Sequence, residues 1–274
     1  MPLTRRAALK GIVATSIGAI TGTGAYGVGY ERHHLEVTET TLPVSGLAPA
    51  LDGLRIGLIT DIHHSRMVPP ADVTRAVELL TTARPDLIVL GGDYVTWGDR
   101  AYVGPVAELL APLTAPQGVY AILGNHDDDR DMAAALSSKH FTVLKDQRTR
   151  TVIRGEGLEL AGIRFWTRNA GDIARVLRQA RDTVILLAHD PRRLTEAAAL
   201  DVPLVLSGHT HGGQVVLPGV GAIARRQFPV VAGMARRDNT TIFVSRGVGT
   251  VYVPVRINCP PEVAVVTLRR QSAI

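Results

Sequence analysis

The sequence is poor in the features that mark several classes of protein. It contains a single cysteine, Cys259, so an intrachain disulfide framework is excluded. It has no long run of like charges and is 46% hydrophobic, which excludes wholesale disorder. Only the first thirty residues combine an apolar stretch with a lack of acidic side chains, so a protein that crosses the membrane many times is not expected. What remains is a chain of 274 residues, long enough for one large α/β domain or two small ones.

The charge balance is mildly basic. The formal net charge of +5 favours anionic partners such as phosphates, membranes or nucleic acids without selecting one. The basic pairs Arg225–Arg226 and Arg236–Arg237 are not interleaved with aromatic side chains. Because stacking of bases on aromatic rings is typical of single-stranded nucleic-acid surfaces, we expect ordinary solvated charge here and no specific nucleic-acid partner.

The amino terminus has the pattern of a targeting segment. A basic head with Arg5, Arg6 and Lys10 precedes an apolar stretch of small residues, 11–29. The paired arginines resemble the twin-arginine export signal, although Ala8 stands where a phenylalanine is usual. We therefore predict that residues 1–30 form a twin-arginine signal or membrane anchor, with the twin-arginine export machinery as a partner, and that residues 31–274 form the functional domain. The protein would then act in the periplasm or another extracytoplasmic space, either free or anchored to the cytoplasmic membrane or cell wall; an ordinary secretory or anchoring segment is the alternative.

Beyond this leader, short apolar runs alternate with segments of helical spacing. Five runs have the composition of buried strands: Leu54–Thr60, Leu87–Leu90, Val119–Leu123, Thr183–Ala188 and Val202–Ser207. Helical spacing is found over Ala71–Ala83, Val103–Leu113, Asp172–Arg181 and Pro191–Leu200. Further strands are predicted at Thr142–Leu144, Thr151–Arg154, Leu158–Ile163, Thr241–Ser245 and Glu262–Thr267. The alternation predicts an α/β protein whose central strands are mainly parallel.

Each of the five buried strands ends in polar side chains that can bind a metal. In chain order these are Asp61, His63, Asp93, Asn125, His126, His189, His209 and His211. Ligands of open α/β sheets bind outside the carboxyl ends of the strands, so we expect these residues to converge on one site. In extended chain, residues i and i+2 point the same way, which would make Asp61/His63 and His209/His211 two-pronged ligands.

This donor set has oxygens and imidazole nitrogens but no thiolate. Such a mixture suits Mn, Fe, Zn or similar divalent ions. Even seven of these eight donors are too many for one tetrahedral zinc site and suit two ions that share a bridging carboxylate. Two metals roughly 3.5–4 Å apart stabilise the attacking and leaving oxygens of an in-line displacement, and a hydroxide held between them is available near neutral pH.

The same residues carry a resemblance to a known family. The blocks Asp61-Ile62-His63, Gly92-Asp93, Gly124-Asn125-His126-Asp127, His189 and Gly208-His209-Thr210-His211 resemble the five signature blocks of the calcineurin-like metallophosphoesterases. The resemblance implies a four-layer α/β/β/α sandwich with a dinuclear metal site at the strand ends. It covers roughly residues 50–270.

The resemblance also implies a role for each residue. Asp61, His63 and His211 would bind the first metal, Asn125, His189 and His209 the second, and Asp93 would bridge the two. His126 would be the family's histidine that binds no metal and that stabilises the phosphoryl charge or protonates the leaving oxygen. Asp127 would orient His126. Thr96 stands where the family often has a further acid.

A narrower resemblance is to the exported YkuE/YaeI-like branch, and it rests on the Ser245–Gly249 and Pro254–Glu262 segments in addition to the blocks. It implies hydrolysis of phosphodiester or pyrophosphate bonds in envelope lipids or nucleotide-linked sugars. Three alternatives stay open: a phosphomonoesterase or nucleotidase of the same fold, a non-catalytic metal-binding envelope protein, and a membrane-associated nucleic-acid binder. Arg246, in a glycine-flanked turn, is a candidate for a substrate phosphate contact or for a surface salt bridge.

Overall fold

The computed structural model describes residue 18 and residues 21–271, so most of the predicted leader lies outside the described residues. Residues 21–29 belong to a helix, α1. No helix in the described part of the chain is both long enough and apolar enough to cross a bilayer. The division of the chain at residue 30 stays a prediction.

Fourteen strands and five further helices are found in the described residues. The strands are β1 (Glu36–Val44), β2 (Arg55–Ile59), β3 (Leu87–Leu90), β4 (Val119–Ala121), β5 (Thr142–Val143), β6 (Gln147–Ile153), β7 (Glu156–Gly162), β8 (Thr183–Leu187), β9 (Leu204–Ser207), β10 (Val216–Leu217), β11 (Gly221–Ala222), β12 (Gly233–Arg237), β13 (Thr240–Val244) and β14 (Glu262–Arg270). The helices are α2 (Pro70–Ala83), α3 (Val103–Leu110), α4 (Asp131–Ser137), α5 (Ala170–Leu177) and α6 (Leu194–Ala199).

Twelve of the strands form two six-stranded sheets. The first has the order β1-β14-β2-β3-β4-β5 and the second the order β12-β13-β9-β8-β7-β6. Strands β2 to β5 run parallel in the first sheet, as β7, β8, β9 and β13 do in the second. Antiparallel neighbours occur at β14 with β2 and at the edge strands β6 and β12. The predicted parallel centre is thus present, divided between two sheets.

Three apolar cores separate four layers. The central core lies between the sheets, where Leu58 and Val89 of the first pack with Leu187 and Leu206 of the second. A second core joins the outer face of the first sheet to α2, α3 and α4. A third joins the outer face of the second sheet to α5 and α6. Strands covered on both faces are apolar throughout, which is why the runs in the sequence are continuous instead of alternating. The predicted α/β/β/α sandwich is confirmed.

Several elements differ from the prediction. Helix α3 ends at Leu110, earlier than Leu113, because Pro112 has no backbone N–H with which to continue the helical hydrogen bonds. The segment predicted as one helix over Pro191–Leu200 is a 3-10 turn followed by the shorter α6. Among the elements that were not predicted are β1, α4 and β12. Strand β1 lies at an edge of the sheet, and its residues 38–41 are all polar, so it lacks the continuous apolar run of a central strand.

Candidate metal centre

The strand ends of both sheets meet at one place. Asp61 and Asp93 follow β2 and β3 of the first sheet, whereas His189 and His209 follow β8 and β9 of the second. The Asp61 carboxylate accepts the backbone N–H of His209, with N–O distances of 2.9 and 3.0 Å. This hydrogen bond joins the two sheets directly, so the convergence predicted from five strand ends occurs across the central core.

The local backbone is not the one that the sequence pattern suggested. Asp61, His63, His209 and His211 all have positive φ, at 52°, 49°, 72° and 52°. These residues therefore do not lie in extended chain, and the prediction of an extended i, i+2 geometry for each pair was wrong. Left-handed backbone is uncommon for residues other than glycine and clusters at functional sites, where it aims side chains that a strand could not.

Gly92 shows how closely the loops approach one another. Its φ is +95°, and an added Cβ would lie 2.5 Å from the backbone nitrogen of Gly124 and 2.9 Å from its Cα. A side chain at this position would separate the loop after β3 from the loop after β4. The glycine in the Gly92-Asp93 block is therefore required both by the conformation of the backbone and by the close approach.

The first group of donors consists of Asp61, His63 and His211. These side chains are buried, and each presents one ligand atom within 4.8 Å of the other two. The Nε2 atoms of His63 and His211 are 3.1 Å apart, and the Nε2 atom of His211 lies 3.5 Å from Asp61 Oδ1. These are the residues that the family resemblance assigns to one metal.

The second group consists of Asp93, His189 and His209, whose ligand atoms also lie within 4.8 Å of one another. The Nε2 atom of His189 lies 3.0 Å from Asp93 Oδ2 and 3.8 Å from Asp61 Oδ1. The Oδ1 atom of Asn125 is buried without a hydrogen-bond partner. Asp93 also belongs to a third group, with His63 and His126, so its carboxylate lies between the two sides of the site.

The hydrogen bonds of the imidazoles test whether a cation fits. The Nδ1 atoms of His189 and His211 lie 2.7 and 3.3 Å from the carbonyl oxygens of Gly91 and Gly249. A carbonyl only accepts, so each Nδ1 carries a proton and Nε2 is the nitrogen that faces the site. Metal-binding histidines usually show this pattern.

The pair His63 and His211 gives stronger evidence for a cation. Thr96 Oγ1 lies 3.3 Å from His63 Nδ1, and Oγ1 donates to the His63 carbonyl at 3.4 Å, so it is placed to accept from Nδ1. The two Nε2 lone pairs then face each other across 3.1 Å, an arrangement that is repulsive without a cation. The donor set therefore fits divalent metal ions.

The charges of the side chains at the site also favour a cation. Burial lowers the pKa of His189, but the Asp93 and Asp61 carboxylates outweigh it and raise that pKa to about 10. Burial raises the pKa of Asp93, yet the positive charge of His189 and its hydrogen bond hold that pKa well below its usual range. Burial, together with the positive His189, lowers the pKa of His209 to about 4. The buried carboxylates thus need positive charge, which a proton on His189 supplies and which a metal ion can replace.

His126 and Asp127 are placed differently from what the resemblance implied. The Asp127 carboxylate accepts the backbone N–H groups of Asp93, Tyr94 and Gly124 at 2.7 to 2.9 Å. Its hydrogen bonds hold the metal-site loops together and do not reach the His126 imidazole. Burial and the Asp93 charge raise the Asp127 pKa to about 6. The expectation that Asp127 orients His126 is corrected: the His126 Nδ1 atom accepts the backbone N–H of Trp97 at 3.0 Å.

Two arginines near the site have structural partners. Arg246 donates to Glu262 at 3.0 Å and to Glu36 at 3.2 Å, which corresponds to the salt-bridge alternative for this residue. Arg256 is fully buried, and its guanidinium donates to five backbone carbonyls, among them those of His211 and Gly249.

Arg256 thereby fixes the loops that carry the first group of donors. Neither its role nor that of Trp97 was predicted. Nothing in the sequence near them separates a buried arginine or a turn tryptophan from ordinary surface residues.

Comparison with known proteins agrees with the geometry. Residues 54–213 match the family model described as calcineurin-like phosphoesterase. The chain is 33% identical to the uncharacterized metallophosphoesterase YkuE of Bacillus subtilis, over 97% of this chain and 98% of the relative. It is also 33% identical to the phosphodiesterase YaeI of Escherichia coli, over 78% of this chain and 82% of the relative. The chain therefore belongs to the calcineurin-like phosphoesterase family, and it is a phosphoester-hydrolysing enzyme.

A solved structure supports the fold. The sulfate thiohydrolase SoxB of Thermus thermophilus superposes with a TM-score of 0.51 at 12% identity, covering 81% of this chain and 57% of that one. At this level of identity the likeness concerns the fold alone. The named relatives place this chain among the YkuE- and YaeI-like metallophosphoesterases.

Proposed function

We propose that this protein hydrolyses phosphodiester or pyrophosphate bonds with the help of two divalent metal ions. The observation that carries the proposal is the meeting of two donor groups around Asp93, with His126 beside them. The family and the phosphodiesterase named among the relatives support the reaction class. The mixture of carboxylate, amide and imidazole donors supports Mn, Fe or Zn.

In this proposal the residues of the chain hold the metals and the substrate in place. Asp61, His63 and His211 would hold one ion, Asn125, His189 and His209 would hold the other, and Asp93 would be shared between them. Bound there, the two ions would supply Lewis-acid polarisation of the phosphoryl group and activation of water for in-line displacement. His126 donates a hydrogen bond to the phosphoryl oxygen or a proton to the leaving oxygen.

The proposed place of action is outside the cytoplasm, on envelope lipids or nucleotide-linked sugars. The support is the twin-arginine pattern at Arg5 and Arg6 and the similarity to YkuE and YaeI. A reporter that folds in the cytoplasm and is fused to residues 1–30 tests the export route. We expect its translocation to require both arginines, and translocation of an Arg5→Lys, Arg6→Lys double variant at the full rate would contradict this route.

One assay tests the reaction and its main rivals. Purified protein is stripped with a chelator, reloaded separately with Mn²⁺, Fe²⁺ or Zn²⁺, and assayed with bis(p-nitrophenyl) phosphate and p-nitrophenyl phosphate. We expect faster turnover of the diester and none after stripping. Preference for the monoester would support a phosphomonoesterase, and activity that survives stripping would contradict the metal mechanism. Metal binding without hydrolysis of either ester would favour a non-catalytic role.

A matched pair of variants tests the role of His126. His126→Asn should lower kcat by about 10²- to 10⁴-fold, the usual contribution of a positioned acid or base, and retain the bound metal. His140 is exposed and is far from the donor groups in sequence, so His140→Asn is the control and should change neither quantity. Loss of metal from His126→Asn would show that His126 is a ligand, contrary to the proposal.

A further inference from the structure

Trp97 has an unusual conformation for its position beside the site. It lies in the turn that follows Thr96, its φ is 54°, and its side chain is 68% exposed. A bulky residue rarely adopts left-handed backbone, and an exposed indole gives up the free energy of apolar burial. Neither the left-handed backbone nor the exposed indole stabilises the fold. The role of Trp97 therefore lies in its contacts with the site.

Those contacts converge on His126. The Trp97 backbone N–H donates to His126 Nδ1 at 3.0 Å, and the N–H of Gly98 donates to the His126 carbonyl at 2.8 Å. The indole packs against the imidazole with ring centres 4.5 Å apart, and Tyr252 packs against the indole at 5.5 Å. His126 is only 5% exposed beneath this cover.

The donor at Nδ1 fixes the chemical form of the ring. A backbone N–H only donates, so Nδ1 must present its lone pair. A neutral imidazole has one proton, which must then be on Nε2, the nitrogen left for the site. A carboxylate at Nδ1 would give the opposite tautomer and make Nε2 an acceptor. The turn therefore prepares the neutral His126 ring to donate a hydrogen bond from Nε2, and not to act as a base.

We propose that the turn formed by Trp97 and Gly98 positions His126 as a hydrogen-bond donor: the backbone N–H selects the Nε2–H tautomer and the indole holds the ring in place. Trp97 is a positioning residue that acts through His126. This inference rests on the proposed hydrolytic function, but its first test does not depend on activity.

The first test reads the tautomer directly. In the metal-free protein, at a pH where the ring is neutral, the ¹⁵N shifts of the His126 imidazole are measured by NMR and assigned with the His126→Asn variant. We expect a proton on Nε2 and a bare Nδ1. A proton on Nδ1 would overturn the inference whether or not the enzyme is active.

The second test uses the leaving group as the probe. Methyl p-nitrophenyl phosphate and methyl phenyl phosphate share a non-leaving group, but phenoxide is the more basic leaving group and depends more on a hydrogen bond to its oxygen. Trp97→Ala should lower kcat for the phenyl ester about tenfold more than for the p-nitrophenyl ester, as expected when part of the hydrogen-bond stabilisation of the leaving oxygen is lost. Trp97→Phe keeps an aromatic ring and should restore most of the difference.

Trp166 provides the matched control. It is 69% exposed and packs against Phe165, whose ring lies 5.2 Å from that of His209, so Trp166 is an exposed tryptophan on the other side of the site. Trp166→Ala should leave the ratio of the two rates at the wild-type value, and bound metal should be unchanged in all variants. Equal losses of both rates in Trp97→Ala, or loss of metal, would overturn the inference. Absence of metal-dependent hydrolysis in the wild type would overturn the proposed function, whereas the NMR result would still decide the tautomer.

Discussion

Replacement of Gly92 by alanine tests whether the site depends on the close approach of two loops. The substitution introduces two costs. The left-handed φ of +95° costs a residue with a side chain about 1–2 kcal/mol. A Cβ at 2.5 Å from the nitrogen of Gly124 adds an overpacking cost of about 1–3 kcal/mol, because both partners are backbone and cannot rotate away.

Gly155 is a natural control for the first cost. It lies in the turn between β6 and β7 with φ of +84°, and a Cβ there would meet nothing within 4 Å. Gly155→Ala should therefore lower the free energy of unfolding only by the backbone cost, about 1–2 kcal/mol. The difference in the free energy of unfolding between the two variants measures the cost of the contact between the new Cβ and Gly124. We expect Gly92→Ala to be less stable than Gly155→Ala by about 1–3 kcal/mol.

The assay combines stability with metal binding. The free energy of unfolding is measured by urea titration of both metal-free variants, and bound metal is measured by elemental analysis after reloading. Gly92→Ala should also bind less metal, because separation of the loops displaces Asp93. Equal losses of stability in the two variants, together with full metal binding, would refute the reasoning.

Two further predictions concern pH. Burial opposes ionisation of Asp146, but hydrogen bonds from Thr167 and Arg164 outweigh it and lower the pKa of the carboxyl group. The carboxylate therefore stabilises the folded state at pH values above the unfolded-state pKa, and this stabilisation is lost as the pH falls through the folded-state pKa. Asp146→Asn should therefore reduce the free energy of unfolding by about 1–3 kcal/mol at pH 7, and urea titrations should show wild type and variant converging in acid. Because the pKa of His189 is raised to about 10, the metal-free protein should hold this proton at pH 8 and release it when Mn²⁺ binds. A pH indicator in weakly buffered solution should record this release, and a similar release in His189→Asn would contradict the assignment.

The sequence was informative where chemistry is local. The central strands were predicted because burial on both faces demands a continuous apolar run, as in Leu87–Leu90, which was predicted with its observed bounds. The donor residues were identified because carboxylates and imidazoles at the ends of five such runs indicate a shared site at the carboxyl edge of a sheet. Each signal lies within a few consecutive residues of the chain.

The features that were not predicted depend on contacts between distant segments. The division of the parallel strands between two sheets depends on which strands pair with each other, and a short run of residues does not determine its partner strand. The hydrogen bonds of Asp127 could not be told from an interaction with the neighbouring His126, because both are compatible with adjacent positions in the sequence. The positive φ values at Asp61 and His63 arise from tertiary packing, since neither residue type prefers that backbone strongly enough to be predicted there.

The two donor groups draw on both sheets, and this arrangement couples ion binding to motion inside the sandwich. A sliding movement of one sheet over the other would change the distance from Asp61 to His209 and His211, which a coordinated ion would resist. Ion loading should therefore slow hydrogen exchange of the His209 amide, which donates to the Asp61 carboxylate across the two sheets. The cations would then restrict sliding of the two sheets over each other, in addition to their part in hydrolysis.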